Sequence, residues 1–324
     1  MNNDQILLLI PIYNDWDCAR LLLAALDRRE GLQGARVLFV DDGSTVPPPA
    51  ELGRSRLAPV EVLSLRRNLG HQRALAVGLA YVAEKVPCRA VVVLDGDGED
   101  DPADVPRLVR KMDEEGGRAI VFAARARRTE GIVFRLGYAG YRWLHRALTG
   151  LPVRVGNFSA IPAPLLSRLV VVSDLWNHYA ASVIKARLPH VAIPTQRAKR
   201  LAGRSQMDFV ALVTHGLSAI SVFGDRVGVR LLIAAAALLG LTLLGILAIV
   251  AVKLGTSLAI PGWATTAAGL LLAIFFQIFT LAIVFVFVVL GGRDSSGFLP
   301  ARDYPWFVAG LRQVGGGPPP VIDR

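Results

Sequence analysis

The 324-residue sequence predicts an α/β domain with a mostly parallel sheet, followed by two transmembrane helices. Two observations support this prediction. In the first two-thirds of the chain, short apolar runs rich in β-branched residues alternate with stretches of helical periodicity, which is typical of a parallel sheet covered by helices. In the last third, two long apolar runs carry almost no charge.

Five apolar runs are expected to form strands, with three helical patterns between them. The runs span residues 6–10, 36–40, 60–64, 90–94 and 119–123, and the helical patterns span residues 17–29, 70–84 and 103–115. In an open sheet of this kind, ligands bind beyond the carboxyl ends of the strands. Chemically active residues are therefore expected directly after these runs.

Residues 231–252 and 264–290 form the two long apolar runs. Each is longer than the ~20 residues that a helix needs to cross ~30 Å of hydrocarbon. Lys253 is the only charged residue between Arg230 and Arg293. Buried core helices are the alternative, but runs of this length without charge favour a transmembrane hairpin.

The charges around the two spans predict their orientation. Arg226 and Arg230 precede the first span, Arg293 and Arg302 follow the second, and the connecting loop offers only Lys253. The positive-inside rule therefore places both termini on the cytoplasmic side of the inner membrane. The N-terminal run LLLIPIYN has neither the basic flank nor the cleavage site of a signal peptide, which agrees with this expectation.

The formal charge of +10 raises the question of nucleic acid binding. The Lys and Arg residues do not alternate with aromatic residues as a stacking platform requires, so we expect no nucleic acid partner. A basic protein beside an anionic membrane explains the charge. Cys18 and Cys88 provide neither a disulfide framework nor a metal cluster.

Residues 131–149 and 207–222 have the periodicity of amphipathic helices. Each is expected to rest in the membrane interface or to pack on the sheet, and both interpretations stay open. The predicted organisation is a cytoplasmic catalytic domain at 1–205, a juxtamembrane amphipathic helix at 206–228, a transmembrane hairpin at 229–292, and a cytoplasmic, partly disordered tail at 293–324.

The strongest chemical signal is the sequence DGDGEDDP at residues 95–102, directly after an apolar run. Its five carboxylates within seven residues repel one another unless a cation lies among them. A hard divalent ion, Mg²⁺ or Mn²⁺, suits oxygen ligands and often bridges to substrate phosphates. The segment therefore predicts metal-diphosphate binding, with a solvated acidic turn as the alternative.

Three weaker signals accompany it. Residues 41–44 read DDGS at a strand end, where carboxylates accept hydrogen bonds from a base or a ribose, although the same residues also form ordinary turns. Residues 68–72 read NLGHQ and open a helix, whose first N–H groups either face a phosphate or are capped. Arginine clusters at 125–128 and 197–204 are candidate phosphate ligands or part of a solvated basic face.

Together these segments resemble family 2 of the glycosyltransferases, and within it the polyprenyl-phosphate sugar synthases. The resemblance covers about residues 5–225. Its matching pieces are PIYN at 11–14, DDGS at 41–44, RNLGHQ at 67–72, DGD at 95–97 and GRS at 203–205. It implies a nucleotide-sugar-binding domain of GT-A type, and the paired spans resemble those of the bacterial members.

The resemblance also implies roles for individual residues. The metal ligands would be Asp95, Asp97 and Glu99. The nucleotide-sugar site would contain Pro11, Tyr13, Asp15, Asp41, Asp42, Asn68, Gly70 and Asp95. The catalytic residues would be Asp97, Arg125, Arg135 and Asn157, and the acceptor phosphate would meet Arg135, Arg200 and Ser205.

Some positions depart from the family pattern. Glu99 stands where the family commonly has Gln, and Asp101 stands where it has Pro. Residues 156–159 read GNFS, where the family usually has Gly-Asp-Phe-Arg, so that Asn157 replaces an acid and Ser159 replaces a cation. The sequence therefore does not identify the sugar, the nucleotide or the lipid.

Three hypotheses for function follow. The leading one is inverting transfer of a hexose from a nucleotide-sugar donor to a membrane lipid phosphate, with polyprenyl phosphate as the acceptor. The second is a glycosyltransferase with another membrane lipid or glycan acceptor. The third is a non-catalytic membrane protein that binds a nucleotide. The spans are rich in small residues, which is compatible with a homo-oligomer.

Overall fold

The computed structural model describes residues 5–52, 55–57, 59–125, 132–151, 155–203, 209–255, 262–294 and 297–315. The chain divides into two compact units. The first comprises Met1–Tyr138, Val153–Val222 and Gly297–Arg324, and the second comprises Ala139–Pro152 and Phe223–Ser296. The C-terminal region beyond the apolar helices thus belongs to the same unit as the N-terminal region.

The first unit contains an eight-stranded sheet. Its strands are β1 (Ile6–Ile12), β2 (Arg36–Asp41), β3 (Val60–Leu65), β4 (Ala90–Val93), β5 (Ile120–Arg125), β6 (Ser159–Pro162), β7 (His190–Thr195) and β8 (Val308–Gly315). Their order across the sheet is β7-β5-β6-β4-β1-β2-β3-β8. β1 pairs in parallel with β2 and β4, β2 with β3, and β5 with β7, whereas β6 and β8 run antiparallel to their neighbours. The predicted mostly parallel sheet is confirmed.

The three helices predicted between the strands are also confirmed. They are α1 (Trp16–Asp27), α2 (His71–Lys85) and α3 (Val105–Glu114). Helix α4 (Ile132–Thr149) and helix α7 (Phe209–Ser221) occupy the two segments with amphipathic periodicity. Helices α5 (Ala163–Leu169), α6 (Tyr179–Lys185) and α10 (Pro300–Asp303), together with β6, β7 and β8, were not predicted from the sequence.

The sheet separates two apolar cores, because side chains alternate between the faces of a strand. In β1, Leu7 and Leu9 belong to the core on the α2 side, whereas Leu8 and Ile10 belong to the core on the side of α1 and α3. All four side chains are fully buried. This burial on both faces explains why β1 reads as an unbroken apolar run.

Residues 297–315 return to the first unit and extend its sheet. The Phe298 ring lies 3.8 Å from the Trp176 ring, and the Phe307 ring lies 5.1 Å from the same indole. β8 then pairs antiparallel with β3, from Leu65 opposite Val308 to Val60 opposite Gly315. The part of the predicted tail that the structure describes is therefore folded, and residues 316–324 lie outside the described residues.

The second unit contains helices α8 (Gly224–Gly255) and α9 (Trp263–Asp294). They include the predicted spans, and their most apolar windows have mean hydropathies of 2.7 and 2.8 with no residue buried inside the molecule. Both helices are long and apolar enough to cross a membrane. Within this unit the Arg230 guanidinium donates to the carbonyls of Arg146 and Ala147, at 3.1 and 2.6 Å, and so caps the last turn of α4.

Candidate active site

The candidate site lies at the carboxyl edge of three adjacent parallel strands. β4, β1 and β2 are neighbours in the sheet, so the loops that follow them leave from the same edge. These loops contain the predicted motifs at residues 11–15, 41–44 and 95–101. The structure therefore brings together segments that are up to 90 positions apart in the sequence.

Asn14 joins the loops after β1 and β2. Its side-chain carbonyl oxygen accepts hydrogen bonds from the backbone N–H groups of Thr45 and Val46, at 2.9 and 3.0 Å, and its own N–H donates to Ser44 Oγ at 2.8 Å. Asn14 has a φ of +53°, a region that Asn tolerates better than most residues. An Asn here thus fixes the loop that leads to Asp15.

The two carboxylates after β2 are buried and bonded to the backbone. Asp42 accepts hydrogen bonds from the N–H groups of Leu69 and Gly70, at 2.7 and 2.9 Å. Asp41 accepts one from the N–H of Ser44 at 3.0 Å. Burial raises the pKa of Asp42, and the hydrogen bonds from Leu69 and Gly70 oppose that rise. Asp42 therefore holds the turn at the start of α2 in place.

Gly43 allows this contact between the two loops. Its φ is +66°, and a Cβ atom at this position would lie 2.4 Å from the carbonyl carbon of Arg67. No larger side chain fits without moving the backbone of residues 67–68. The glycine of the DDGS motif is therefore required by packing.

We call residues 95–101 the acidic loop. Its backbone is held by its own side chains: Asp100 accepts from the N–H of Asp95, and Asp97 accepts from the N–H of Glu99, both at 3.0 Å. At Gly96 a Cβ atom would lie 2.9 Å from the carbonyl oxygen of Pro11, so the loop packs closely against the end of β1.

We call residues 197–202 the arginine segment, because it runs along the acidic loop and carries Arg197 and Arg200. Asp100 and Arg197 form an antiparallel β-bridge. The Ala198 N–H donates to the Glu99 carbonyl at 2.9 Å, and the Leu201 N–H donates to the Asp97 carbonyl at 3.1 Å. The main chains of the two segments are thus hydrogen-bonded to each other.

The arginine side chains neutralise the carboxylates of the acidic loop. Arg200 donates to Asp97 at 3.2 Å and also pairs with Asp15. Arg197 donates through its Nε to Glu99 at 2.8 Å. Burial raises the pKa of Asp97, while the neighbouring Arg200 charge and the Glu99 N–H lower it.

The predicted metal ligands are therefore engaged with arginine or histidine side chains. Asp97 and Glu99 pair with the two arginines, and Asp95 lies 3.3 Å from His71 Nε2. Among the residues that the structure describes, no three His, Cys, Asp or Glu side chains converge as a metal site. Their role as metal ligands stays a prediction.

A hydrogen-bond network connects Asp95 with the interior of the first unit. His71 Nε2 lies 3.0 Å from Asn157 Nδ2, and the Asn157 side-chain carbonyl accepts from Gln72 at 3.1 Å. Gln72 in turn accepts from the Tyr179 N–H at 2.7 Å. Burial lowers the pKa of His71, but the nearby carboxylates of Asp95, Asp42 and Asp100 together outweigh it, and the net shift is upward.

The remaining predicted residues are placed less completely. Pro11 is buried, Tyr13 is 37% exposed and Asn68 is exposed, all around the same strand ends. Arg125 ends β5 and Arg135 lies in α4, but the described structure does not include their side chains, and Ser205 lies outside the described residues. Sequence reasoning did not pair Arg200 with Asp15. It named Gln72 as part of the NLGHQ segment but not its partner Tyr179, since such pairs lie more than 100 positions apart in the chain.

Comparison with known proteins identifies the domain. A family model described as glycosyl transferase family 2 matches residues 8–162, which contain the strand ends and the acidic loop. The chain carries a family 2 glycosyltransferase domain. The prediction of a glycosyltransferase is thereby confirmed.

The glycosyltransferase has relatives that match most of its length. The chain is 22% identical over 315 residues to a glycosyltransferase of Bacillus subtilis named YkcC, covering 94% of this chain and 93% of that protein. It is 25% identical over 295 residues to the undecaprenyl-phosphate 4-deoxy-4-formamido-L-arabinose transferase of Klebsiella pneumoniae, covering 84% and 83%.

This glycosyltransferase is similar in structure to the glucosyl-3-phosphoglycerate synthase of Mycobacterium tuberculosis, which was solved with Mn²⁺, UDP-glucose and phosphoglyceric acid. The match covers 69% of this chain and 80% of the synthase. The sequence identity is 20% and the TM-score is 0.49.

Proposed function

We propose that this glycosyltransferase moves a hexose from a nucleotide sugar to polyprenyl phosphate, with inversion at the anomeric carbon. One observation carries the proposal: the likeness to the undecaprenyl-phosphate transferase extends over 84% of the chain. The family 2 match ends at residue 162, so the likeness extends well beyond the domain that defines the family. A shared acceptor class explains why similarity persists there.

The donors of the acidic loop fit a divalent cation in their chemistry. Asp95, Asp97 and Glu99 supply oxygen ligands only, and their side chains are 31%, 25% and 20% exposed, so a cation from solvent can reach them. Hard ions such as Mg²⁺ and Mn²⁺ prefer such ligands. These three carboxylates would hold the ion. When bound there, it would supply positive charge beside the departing diphosphate.

The reaction needs little proton chemistry from the protein. A phosphate monoester has a second pKa of about 6 and is largely dianionic near pH 7, so the acceptor oxygen attacks without a strong general base. As its bond to the anomeric carbon forms, the bond from that carbon to the donor phosphate breaks, and the electron pair leaves with the nucleotide diphosphate. Alignment of the two substrates and stabilisation of this charge account for the catalysis.

The protein groups near this charge have two different roles. Arg197 and Arg200 pair with carboxylates of the acidic loop and would supply positive charge near the departing diphosphate. Asp42 and Asn14 hold the loops after β2 and β1, which would shape the pocket for the nucleotide. Preorganised charge of this kind is commonly the largest single contribution to transition-state stabilisation.

The membrane location belongs to the same proposal. The catalytic region is followed by two helices that are long and apolar enough to cross a membrane. Arginines lie before the first of these helices' apolar spans and after the second. We infer a multi-pass inner-membrane protein with both termini in the cytoplasm. On that side of the membrane the soluble nucleotide sugar would meet the head group of polyprenyl phosphate.

The test is a transfer assay on membranes that contain the protein. Labelled nucleotide sugars are added with Mg²⁺ or Mn²⁺, lipids are extracted, and the label is tested for release by mild acid. The proposal predicts lipid label that mild acid releases, because a sugar-phosphate diester linkage is acid-labile. Label that survives mild acid would indicate another acceptor, and no transfer from a broad donor panel would indicate a protein without this activity.

A further inference from the structure

The arginine segment neutralises part of the negative charge of the acidic loop. Two of the carboxylates predicted to bind a cation, Asp97 and Glu99, are each paired with a guanidinium group from residues that lie about 100 positions later in the chain. The repulsion among the acidic side chains, from which a cation was predicted, is thus relieved by arginine side chains.

Arg200 is placed between two carboxylates from different strand ends. It donates to Asp97 in the acidic loop and to Asp15 after β1, and its Nε donates to the carbonyl of Ala202 at 2.8 Å. Its side chain is 17% exposed, compared with 37% for Arg197. Arg200 is therefore the more enclosed of the two cations.

The main chain of the arginine segment is held independently of the Arg200 guanidinium. The N–H groups of Ala198 and Leu201 donate to carbonyls of the acidic loop. Leu201 also packs on Gly98, where a Cβ atom would lie 2.4 Å from Leu201 Cγ. The side chain of Arg200 can therefore leave Asp97 while the two segments stay joined.

We propose that Arg200 occupies the place of the cation in the substrate-free protein and gives up Asp97 when the cation binds. The guanidinium then pairs with the phosphates that arrive with the ion. This inference rests on the proposed function. In it, the partner of Arg200 changes from the Asp97 carboxylate to a substrate phosphate. A guanidinium suits both partners, because its planar array of donors matches carboxylates and phosphates alike.

The proposed exchange predicts the direction in which Mn²⁺ affinity changes when Arg200 loses its charge. If Arg200 competes with the cation for Asp97, removing its charge tightens Mn²⁺ binding. If Arg200 serves only the acceptor phosphate or the structure, removing it leaves Mn²⁺ affinity unchanged or weakens it. Mn²⁺ affinity is read without any sugar transfer, from the electron paramagnetic resonance signal of the free ion.

The experiment uses the full-length protein in detergent, titrated with Mn²⁺ alone. Arg200→Met is expected to bind Mn²⁺ on the order of tenfold more tightly than wild type, because a like charge has been removed beside the ion. Arg200→Lys, which keeps the charge, is expected to stay near wild type. Arg302→Met is the matched control, since Arg302 lies in α10 and pairs with its neighbour Asp303, and it is expected to leave Mn²⁺ binding unchanged.

An unchanged or weaker Mn²⁺ affinity in Arg200→Met would overturn the proposal. If that variant does not fold, the proposal is tested on the wild type by chemical labelling of arginine side chains. The modified residues are located by mass spectrometry. Mn²⁺ alone should raise the labelling of Arg200 relative to Arg302, and equal labelling with and without Mn²⁺ would overturn the proposal.

The two proposals fail in different ways. Tighter Mn²⁺ binding in Arg200→Met without sugar transfer by the wild type would retain the exchange and reject the proposed function. Transfer by the wild type with no change of Mn²⁺ affinity in the variant would reject the exchange alone. No Mn²⁺ binding by either protein would reject the exchange, and the transfer assay would still decide the proposed function.

Discussion

Two acidic segments lie at the same edge of the sheet and are held in different ways. The carboxylates of Asp41 and Asp42 accept hydrogen bonds from backbone N–H groups and are less than 5% exposed. Asp97 and Glu99, in the acidic loop, instead pair with arginine side chains and remain in contact with solvent.

The difference separates a scaffold from an exchangeable site. A backbone N–H cannot leave its partner without deforming the fold, so the bonds to Asp42 are permanent. A guanidinium on a flexible side chain can be replaced by another cation at the cost of a side-chain rotation. Carboxylates in the first segment should therefore affect stability, whereas those in the acidic loop should affect catalysis.

The largest expected effect comes from Asp97→Asn. Loss of one charge among the predicted cation ligands should lower the transfer rate at least about 100-fold, because stabilisation of the leaving diphosphate is reduced. The midpoint of thermal unfolding should change little. Transfer of labelled sugar and circular dichroism on the same preparations measure both. Full activity of this variant would remove Asp97 from the site.

Asp42→Ala should show the opposite pattern. It leaves the N–H groups of Leu69 and Gly70 without their acceptor, and a buried unsatisfied donor costs about 1–3 kcal/mol. The midpoint of thermal unfolding should fall by several degrees. Asp17→Ala is a suitable control, since Asp17 is 85% exposed in its side chain. A normal unfolding temperature for Asp42→Ala would contradict the scaffold role.

A smaller effect is expected from Asn157→Asp. The Tyr179 N–H sets the orientation of Gln72, which in turn directs the Asn157 amide nitrogen toward His71. A carboxylate here adds negative charge near Asp95 and should lower the transfer rate by up to about tenfold. Asn157→Ser, which adds no charge, is the control. Equal rates for both variants would show that charge at this position is unimportant.

The stability of the wild type and that of Asp42→Asn should depend differently on pH, because asparagine does not titrate. Because burial raises the pKa of Asp42 above its usual value of 3.8, the folded state binds a proton more readily than the unfolded state. At neutral pH the charged carboxylate therefore stabilises the fold less than the protonated carboxyl would, and this difference shrinks as the pH falls through the folded pKa and is gone below the unfolded value of 3.8. Wild type should gain stability relative to Asp42→Asn as the pH is lowered from 7 toward 4. An opposite slope in unfolding midpoints would contradict this.

The sheet was predictable where the signal is local. β1 to β5 are apolar runs bounded by turns, and α1 to α3 follow helical periodicity, so short windows of sequence suffice. β6 has only four residues, and β7 includes Pro194, so neither gives such a signal. β8 pairs with β3 across more than 240 positions, and no local pattern reports a partner at that distance.

The candidate site was predictable in its motifs and less so in its contacts. Strand ends and family resemblance together indicated the acidic loop and the DDGS segment. The expectation that a cation must relieve the acidic repulsion overlooked Arg197 and Arg200, whose pairing with that loop depends on tertiary structure. Asp42 was predicted to face the nucleotide, but its buried hydrogen bonds to Leu69 and Gly70 could be seen only in the folded chain.

The most direct test of the account combines the acidic loop with the lipid acceptor in one purified system. The full-length protein in detergent is given a labelled nucleotide sugar, and polyprenyl phosphate and Mn²⁺ are added or omitted in turn. Acid-labile lipid product is expected only when both are present, and none is expected with Asp97→Asn. Product that forms equally without Mn²⁺, or equally with Asp97→Asn, would contradict it.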